Sequence, residues 1–332
     1  MEPGCVGEND GLTFWLAKPE DYADVMSISM DIYGGNDYLP HRYHEWMTEP
    51  DRVVLLARRT GKLVALESGV LVDGGRTVVV EGLRVCPTER GRGVAGTIQG
   101  FADSYLKKLY PSIQVKRMTR GDDPGPEKLS KFKLLARRAV LSLLGEAEDF
   151  DGFTEALKAR LMSENAGGGA VHLPLQTEDK QLRTILLQPD LAQRLQLPGG
   201  SIIQDWQPLE PIESNLAVLR RRNLTWFVAA GSGGSPDNNR PAFLSFYTPP
   251  YPVPYGFRLN IDLYGTDPSL ARGALVANLD RVRAQLRGKV AMHLYMHQAV
   301  AESLKEFCQT QSSVQWGQWR SIWEQLFLER DF

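Results

Sequence analysis

Two rhythms of apolar and polar positions run along this chain, and the switches between them mark out its elements. "LTFWLA" (12–17) has the pattern of a strand. "KPEDYADVMSISMDIY" (18–33) repeats apolar residues at helical spacing behind a Pro-Glu-Asp start. "YLPHRYHEWM" (38–47) predicts a second, shorter helix. "RVVLLARRTGKLVALESGVLVDGGRTVVVEGLRV" (52–85) holds three β-rich runs joined at Thr60-Gly61 and Gly74-Gly75, an antiparallel meander. A helix over about 93–109 follows, then a strand in "SIQVKRMTR" (112–120), a short helix in "PEKLSKFKLLAR" (126–137) and a closing strand in "AVLSLLGEA" (139–147).

Small, flexible residues in "SENAGGGA" (163–170) predict a linker, so the expected domains are 1–160 and 171–332 with 161–170 between them. Beyond it "GGSIIQDWQPLEP", "NLTWFVAA", "AFLSFYT" and "GFRLNIDLYG" have strand patterns. A helix in "SLARGALVANLDRVRAQL", a strand in "KVAMHLYMH", a helix in "QAVAESLKEFCQ" and a final strand in "WRSIWEQLFLERDF" complete the chain. Strand, long helix, strand, short helix, strand therefore occurs twice. The fold class is α+β, with the second half a degenerate copy of the first.

The junction between strand and long helix differs between the copies. The first reads "CPTERGRGVAG" (86–96), the second "YGTDPSLARGAL" (264–275), without the basic glycine turn. At a helix N-terminus the first N–H groups lack partners and the dipole is positive. Closely spaced glycines let an anion approach that backbone. Gly91, Gly93 and Gly96 between Arg90 and Arg92 suit a phosphate or pyrophosphate. Gly91-x-Gly93-x-x-Gly96 also matches the dinucleotide fingerprint, but Cys86 to Glu89 separate it from its strand and an antiparallel meander precedes it. No acid ends the next strand, where Arg117 and Arg120 lie.

Composition narrows the field little. In 332 residues the net charge is −2, with 42% hydrophobic and 23% charged residues, so neither a general nucleic-acid binder nor a membrane-surface protein is expected. No stretch near the N-terminus has a signal peptide's apolar run, and no segment approaches the roughly 20 apolar residues of a membrane span. Cys5, Cys86 and Cys308 are far apart, so neither a disulfide framework nor a zinc site is expected, and a cytoplasmic location is. His293 and His297 lack a third ligand nearby, so no metal is expected; the Arg-Gly-Asp triplet at 120–122 is coincidental.

Arg90, Gly93 and Ala95 behind "GLRVCP" meet the Arg/Gln-x-x-Gly-x-Gly/Ala pattern, and residues 12–146 follow the matching strand order. The segment resembles the acetyl-CoA motif of the GCN5-related N-acetyltransferase superfamily. "DIYGGNDYLPHRYHEWM", "VEGLRVCPTERGRGVAG", "MTRGDDPGP" and "GGSIIQDWQPLEPIESNL" together resemble the vertebrate histidine N-acetyltransferase family, over both halves. The resemblance implies a GCN5-related fold with a degenerate acetyltransferase-like domain in tandem. It implies transfer of acetyl from acetyl-CoA to the α-amine of a free amino acid, L-histidine first, by direct attack in a ternary complex. Another amino acid or small amine as acceptor, or a CoA-binding pseudoenzyme, are the alternatives; no nucleic-acid or membrane partner is implied.

Within that resemblance the pantetheine would run along Leu83, Arg84 and Val85, with Gly82 at a bulge. The pyrophosphate would sit on the turn Arg90, Gly91, Arg92, Gly93, Val94, Ala95 and Gly96. Glu81 and Glu67 are the candidate bases, brought together if a one-residue bulge interrupts the hairpin. Tyr33, Asp37, Tyr38, Arg42 and Tyr43, with Arg120 and Asp122, are the candidate substrate residues. Asp205, Trp206 and Asp262 of the second half are read as packing residues. Where the superfamily carries an acidic Tyr, this chain has Phe132, which has no proton to give.

Overall fold

The computed structural model describes residues 4–30, 32–121, 123–164, 173–230, 240–310, 312–317 and 322–332. The chain divides into two compact units, residues 1–118 with 329–332, and residues 119–328.

Unit 1 is a twisted sheet with helices on both faces. Its elements are β1 (Cys5–Asn9), β2 (Leu12–Leu16), α1 (Tyr22–Ser27), α2 (Leu39–Trp46), β3 (Arg52–Arg59), β4 (Lys62–Val72), β5 (Thr77–Val85), α3 (Val94–Leu109) and β6 (Val115–Arg120), whose last two residues belong to unit 2. Strand order follows the chain, β1 to β6, antiparallel except for the parallel β5–β6 pair. Alternation sorts the side chains: Val54, Leu56 and Leu66 pack on α1 and α2, while Val53, Leu55, Leu71, Val78 and Val80 pack on α3. Helix α3 answers with Val94, Ile98, Ala102 and Leu106, a four-residue spacing that lines one buried stripe. Lys107 and Lys108 in its last turn complement the helix dipole.

Unit 2 contains α4 (Pro126–Leu129), β7 (Lys133–Glu146), α5 (Ala147–Glu164), β8 (Leu175–Gln176), α6 (Asp179–Leu186), α7 (Leu191–Arg194), β9 (Ile202–Gln204), β10 (Gln207–Leu209), α8 (Glu213–Arg221), β11 (Thr225–Ala230), β12 (Pro241–Val253), β13 (Gly256–Tyr264), α9 (Pro268–Val282), β14 (Lys289–Met296), α10 (Gln298–Phe307), β15 (Gln315–Trp316) and most of β16 (Ile322–Asp331). Its sheet runs β7-β14-β13-β12-β11-β8, with β13 and β14 parallel. One face is an apolar core shared with α5, α9 and α10. The repeat read from the sequence is there as β13, α9, β14, α10 and β16. At the start of α9 the Asp267 carboxylate itself accepts from Ser269 N at 2.8 Å and Leu270 N at 3.1 Å. The chain's own acid thus occupies the place where the first copy has its glycine turn.

Two expectations change. The helix predicted over 126–137 ends at Leu129, and Lys133 to Arg138 are strand: the β14 ladder begins only at Ala139, and the other neighbour of β7 is β16, where Gln325 accepts from Arg138. "GGSIIQDWQPLEP" is a hairpin that turns at Asp205 and Trp206, both in the left-handed region, instead of one strand. The compact units divide between Met118 and Thr119, and β7 and α5 pack with β14 and α9 in unit 2. Residues 165–170 of the expected linker lie outside the described residues.

Candidate active site

The ladder between β5 and β6 runs only from Thr77↔Val115 to Val79↔Arg117, although β5 continues to Val85. Past Val79 the β6 side of β5 has no ladder partner among the described residues. On the β4 side, Ser68↔Glu81 is followed by Leu66↔Arg84, so Gly82 and Leu83 together oppose Glu67. Gly82 takes φ +77, the conformation of a glycine bulge, and a Cβ there would stand 2.6 Å from the Trp46 ring. The expected bulge is therefore present, and it lies in the part of β5 beyond the end of the β6 ladder.

That edge leads into the glycine turn. Gly91 and Gly93 have φ +76 and +80, and Gly93 is the N-cap of α3. Cβ atoms at Gly91, Gly93 and Gly96 would meet nothing within 4 Å, so packing is not the reason for these glycines. The turn is exposed, its first helical N–H groups lack intrahelical acceptors, and Arg90 and Arg92 flank it. Arg90 Nε donates to the Val85 carbonyl at 3.2 Å, while Arg92 is 3.6 Å from Glu89 and largely in solvent. Val94 buries its side chain in the core and offers only its N–H; Ala95 is half-buried. Leu83 is an exposed apolar side chain on the free edge, and Val85 is half-buried.

The two candidate bases are not brought together. Ser68, not Glu67, faces Glu81, and the bulge begins only after Glu81, so their side chains lie on opposite faces of the sheet. Glu67 is 2% exposed on the α3 side, near Lys116 and Asp103, with a hydrogen bond to Gln99 and no partner for Oε2. Burial pushes its carboxyl up to about 7; Lys116 and Gln99 pull it down and Asp103 adds to the rise. An acid raised in the fold contributes stability that is complete below its unfolded range and is lost as pH rises through about 7. Between pH 5 and 8 the wild type should therefore lose up to about 3 kcal/mol relative to Glu67→Gln in urea unfolding. A Gln variant that loses stability in parallel would show that Lys116 already holds Glu67 ionised.

Glu81 is on the α2 face, among charges. Arg52 Nη2 is 2.7 Å from Glu81 Oε1, Arg52 Nη1 donates to Ser68 Oγ at 2.7 Å, and Arg52 Nε bonds Glu49. The Arg52 guanidinium lies 4.5 Å from the Trp46 ring centroid. Arg84 turns its side chain inward to Asp37, at 2.6 Å. Tyr38 stands between these groups: Glu81, Arg84, Tyr33 and Asp37 all act on its phenol, which burial keeps well above the usual tyrosine range. Such a face can hold a cationic amine and take up its proton.

Of the candidate substrate residues, Tyr33, Asp37 and Tyr38 join this face. Arg42 is buried on α2, 2.7 Å from Glu45. Tyr43 is withdrawn: it is fully buried in the α1–α2 core, and its hydroxyl donates to the Lys18 carbonyl at 2.6 Å. Arg120 is half-buried in unit 2, and Asp122 lies outside the described residues. Phe132 closes the turn after α4, its N–H on the Leu129 carbonyl. Among residues read as unlikely ligands, His293 bonds Ser142 Oγ at 2.8 Å and His297 caps α10. Arg52, Glu49 and Trp46 escaped the sequence reading. Their only signal was an arginine opening a strand in register with apolar positions that face a helix.

Comparison with known proteins agrees in kind. A model of the histidine N-acetyltransferase C-terminal family matches residues 171–297. The chain is 38% identical to a histidine N-acetyltransferase of Scomber australasicus, over 92% of this chain and 90% of that one. It is 36% identical, over 92% and 90%, to one of Oreochromis niloticus. A tandem GNAT protein from the clavulanic acid biosynthesis pathway has a similar fold, with TM-score 0.53 at 13% identity, over 96% of this chain and 98% of that chain.

Proposed function

The chain belongs to the histidine N-acetyltransferase family, and we propose that it transfers the acetyl group of acetyl-CoA to the α-amine of free L-histidine, giving N-acetylhistidine. The observation that carries the reading is the bulged edge of β5, without a ladder partner past Val79 among the described residues, running straight into a glycine turn at a helix N-terminus. Acetyl-CoA supplies an activated thioester carbonyl. The chain's backbone from Leu83 to Val85 offers it strand-like hydrogen bonds, and the N–H groups from Gly91 to Gly96, with Arg90 and Arg92, hold its pyrophosphate. Glu81 takes the proton from the incoming ammonium, directly or through one water. Arg52, with Glu49 and Trp46 around it, holds the Glu81 carboxylate in place. Tyr33, Asp37 and Tyr38 line the acceptor side, with Arg42 behind them on α2.

We assign the catalytic role to the first half, 1–160, and read 171–332 as the degenerate copy, whose helix N-terminus is satisfied by Asp267. The acceptor is a small molecule and no metal has a role. Among the described residues no helix is long and apolar enough to cross a membrane.

Release of free CoA from acetyl-CoA, with each of the twenty amino acids and several amines offered in turn, tests the reading. L-histidine should give the largest kcat/KM. A different preferred amine would retain the transfer chemistry and discard histidine; no turnover with any acceptor would discard both.

A further inference from the structure

Among the buried polar atoms of the α2 face that have no hydrogen-bond partner are Arg84 Nε and Asp37 Oδ2. Their side chains are 0% and 4% exposed, and they belong to one ion pair. The bonded half of that pair is well occupied. Arg84 Nη2 reaches Asp37 Oδ1 at 2.6 Å, and the same oxygen accepts the Leu39 N–H at 3.1 Å. The other half leaves one cationic donor and one anionic acceptor buried without a hydrogen bond. A buried polar group left open is costly, and native folds retain few of them. An ammonium beside a carboxylate is the complement of these two atoms, and a free amino acid carries that pair of charges on a single carbon.

What covers the pair can move. Tyr33 is 59% exposed, stacks on Tyr38 with ring centroids 6.3 Å apart, and lies 5.6 Å from the Arg84 guanidinium carbon. Tyr33, Gly34 and Gly35 have φ of 54, 57 and 88, three left-handed residues in succession. A non-glycine residue in that conformation is strained, and such strain gathers at ligand clamps and switches. Lifting Tyr33 from Arg84 would remove little apolar burial, because its ring already faces solvent.

We propose that the Arg84–Asp37 pair recognises the main-chain charges of the amino-acid substrate, with Tyr33 as the lid over it. Arg84 Nε donates to the α-carboxylate, and Asp37 Oδ2 accepts from the α-ammonium before Glu81 removes its proton. The proposal rests on the reading that this chain acetylates free histidine, and it adds a reason for the word free. An acceptor without a carboxylate beside its amine, such as histamine or the N-terminus of a peptide, leaves Arg84 Nε unfilled.

The test is the ratio of kcat/KM for histidine to that for histamine, in wild type, Arg84→Lys and Tyr33→Gly. Lysine preserves the charge facing Asp37 and removes the fork. The ratio should fall about tenfold or more in Arg84→Lys, mainly through a higher KM for histidine. Tyr33→Gly alters an exposed side chain at a φ that glycine accepts, so it decides the matter even if Arg84→Lys does not fold. It should lower the same ratio about fivefold. Undiminished ratios in both variants, from an enzyme that does acetylate histidine, overturn the clamp and leave the function standing. If the wild type acetylates no amine, the function falls first; calorimetric binding of histidine, weaker in both variants or equal to wild type, then decides the clamp by itself.

Discussion

Gly93→Asp is expected to weaken acetyl-CoA binding by more than 100-fold while leaving the chain folded. Asp is among the residues that tolerate the left-handed region, at a cost of about 1–2 kcal/mol, and a Cβ at position 93 meets nothing within 4 Å. The α3 terminus should therefore keep its conformation. What changes is the ligand site: the new carboxylate would stand beside the N–H groups that the pyrophosphate needs. It would also place a negative charge within a few ångströms of another. At an effective dielectric of about 20, two such charges 4 Å apart repel by roughly 4 kcal/mol, which exceeds the 2.7 kcal/mol of a 100-fold loss. Gly100→Asp is the control, since it is exposed on the same helix and its Cβ also meets open space. Calorimetry with acetyl-CoA should show near-normal binding for Gly100→Asp and none measurable for Gly93→Asp. Equal affinities would move the cofactor away from the turn.

The contrast between Gly93 and Asp267 also shows what could be read from the sequence. Both copies were legible as strand, long helix, strand, because period-two and four-residue spacings are local and Gly61, Gly74, Gly91 and Gly93 punctuate them. The absence of a basic glycine turn from the second copy was legible in "YGTDPSLARGAL". The substitution of the chain's own carboxylate appears only when Asp267 Oδ1 is found on Ser269 N and Leu270 N. Lys133 to Arg138 were misread for a different reason. Two apolar residues followed by Ala-Arg-Arg suit a helix as well as a strand, and the neighbouring strand β16, with Gln325 187 residues beyond Arg138, decides it.

Within the site, local spacing failed wherever the answer lay across the sheet. Tyr38 and Tyr43 sit on one predicted helix, but only the structure shows that Tyr43 points to Lys18 and Tyr38 to Arg84. The two glutamates are a sharper case. Counting from the Gly74-Gly75 turn gives Glu67 opposite Gly82 correctly, and the bulge was correctly expected at Gly82. Its effect was misjudged, because an extra residue alters the facing of everything beyond it and nothing before it. Glu81 precedes the bulge, so it keeps the face set by the turn; Arg84 follows it and is re-aimed onto that same face, toward Asp37. The bulge unites Glu81 with Arg84 instead of with Glu67.

Glu81→Gln should consequently lower kcat by roughly 10²–10⁴-fold, the span a positioned proton acceptor contributes. The amide oxygen of Gln can still accept from Arg52 Nη2, now 2.7 Å from Glu81 Oε1, so the neighbourhood of Ser68, Trp46 and Glu49 should persist. What the variant loses is basicity, and acetyl-CoA affinity measured by calorimetry should stay near wild type. The pH dependence supplies a second reading. At high pH, where histidine arrives with a neutral α-amine, the need for an enzymic base falls, so the deficit of Glu81→Gln should shrink as pH rises through the amine's own titration. A deficit that is constant with pH would assign Glu81 to holding Arg52 and the β5 edge. A kcat within tenfold of wild type at neutral pH would mean that the ammonium loses its proton before it reaches the sheet.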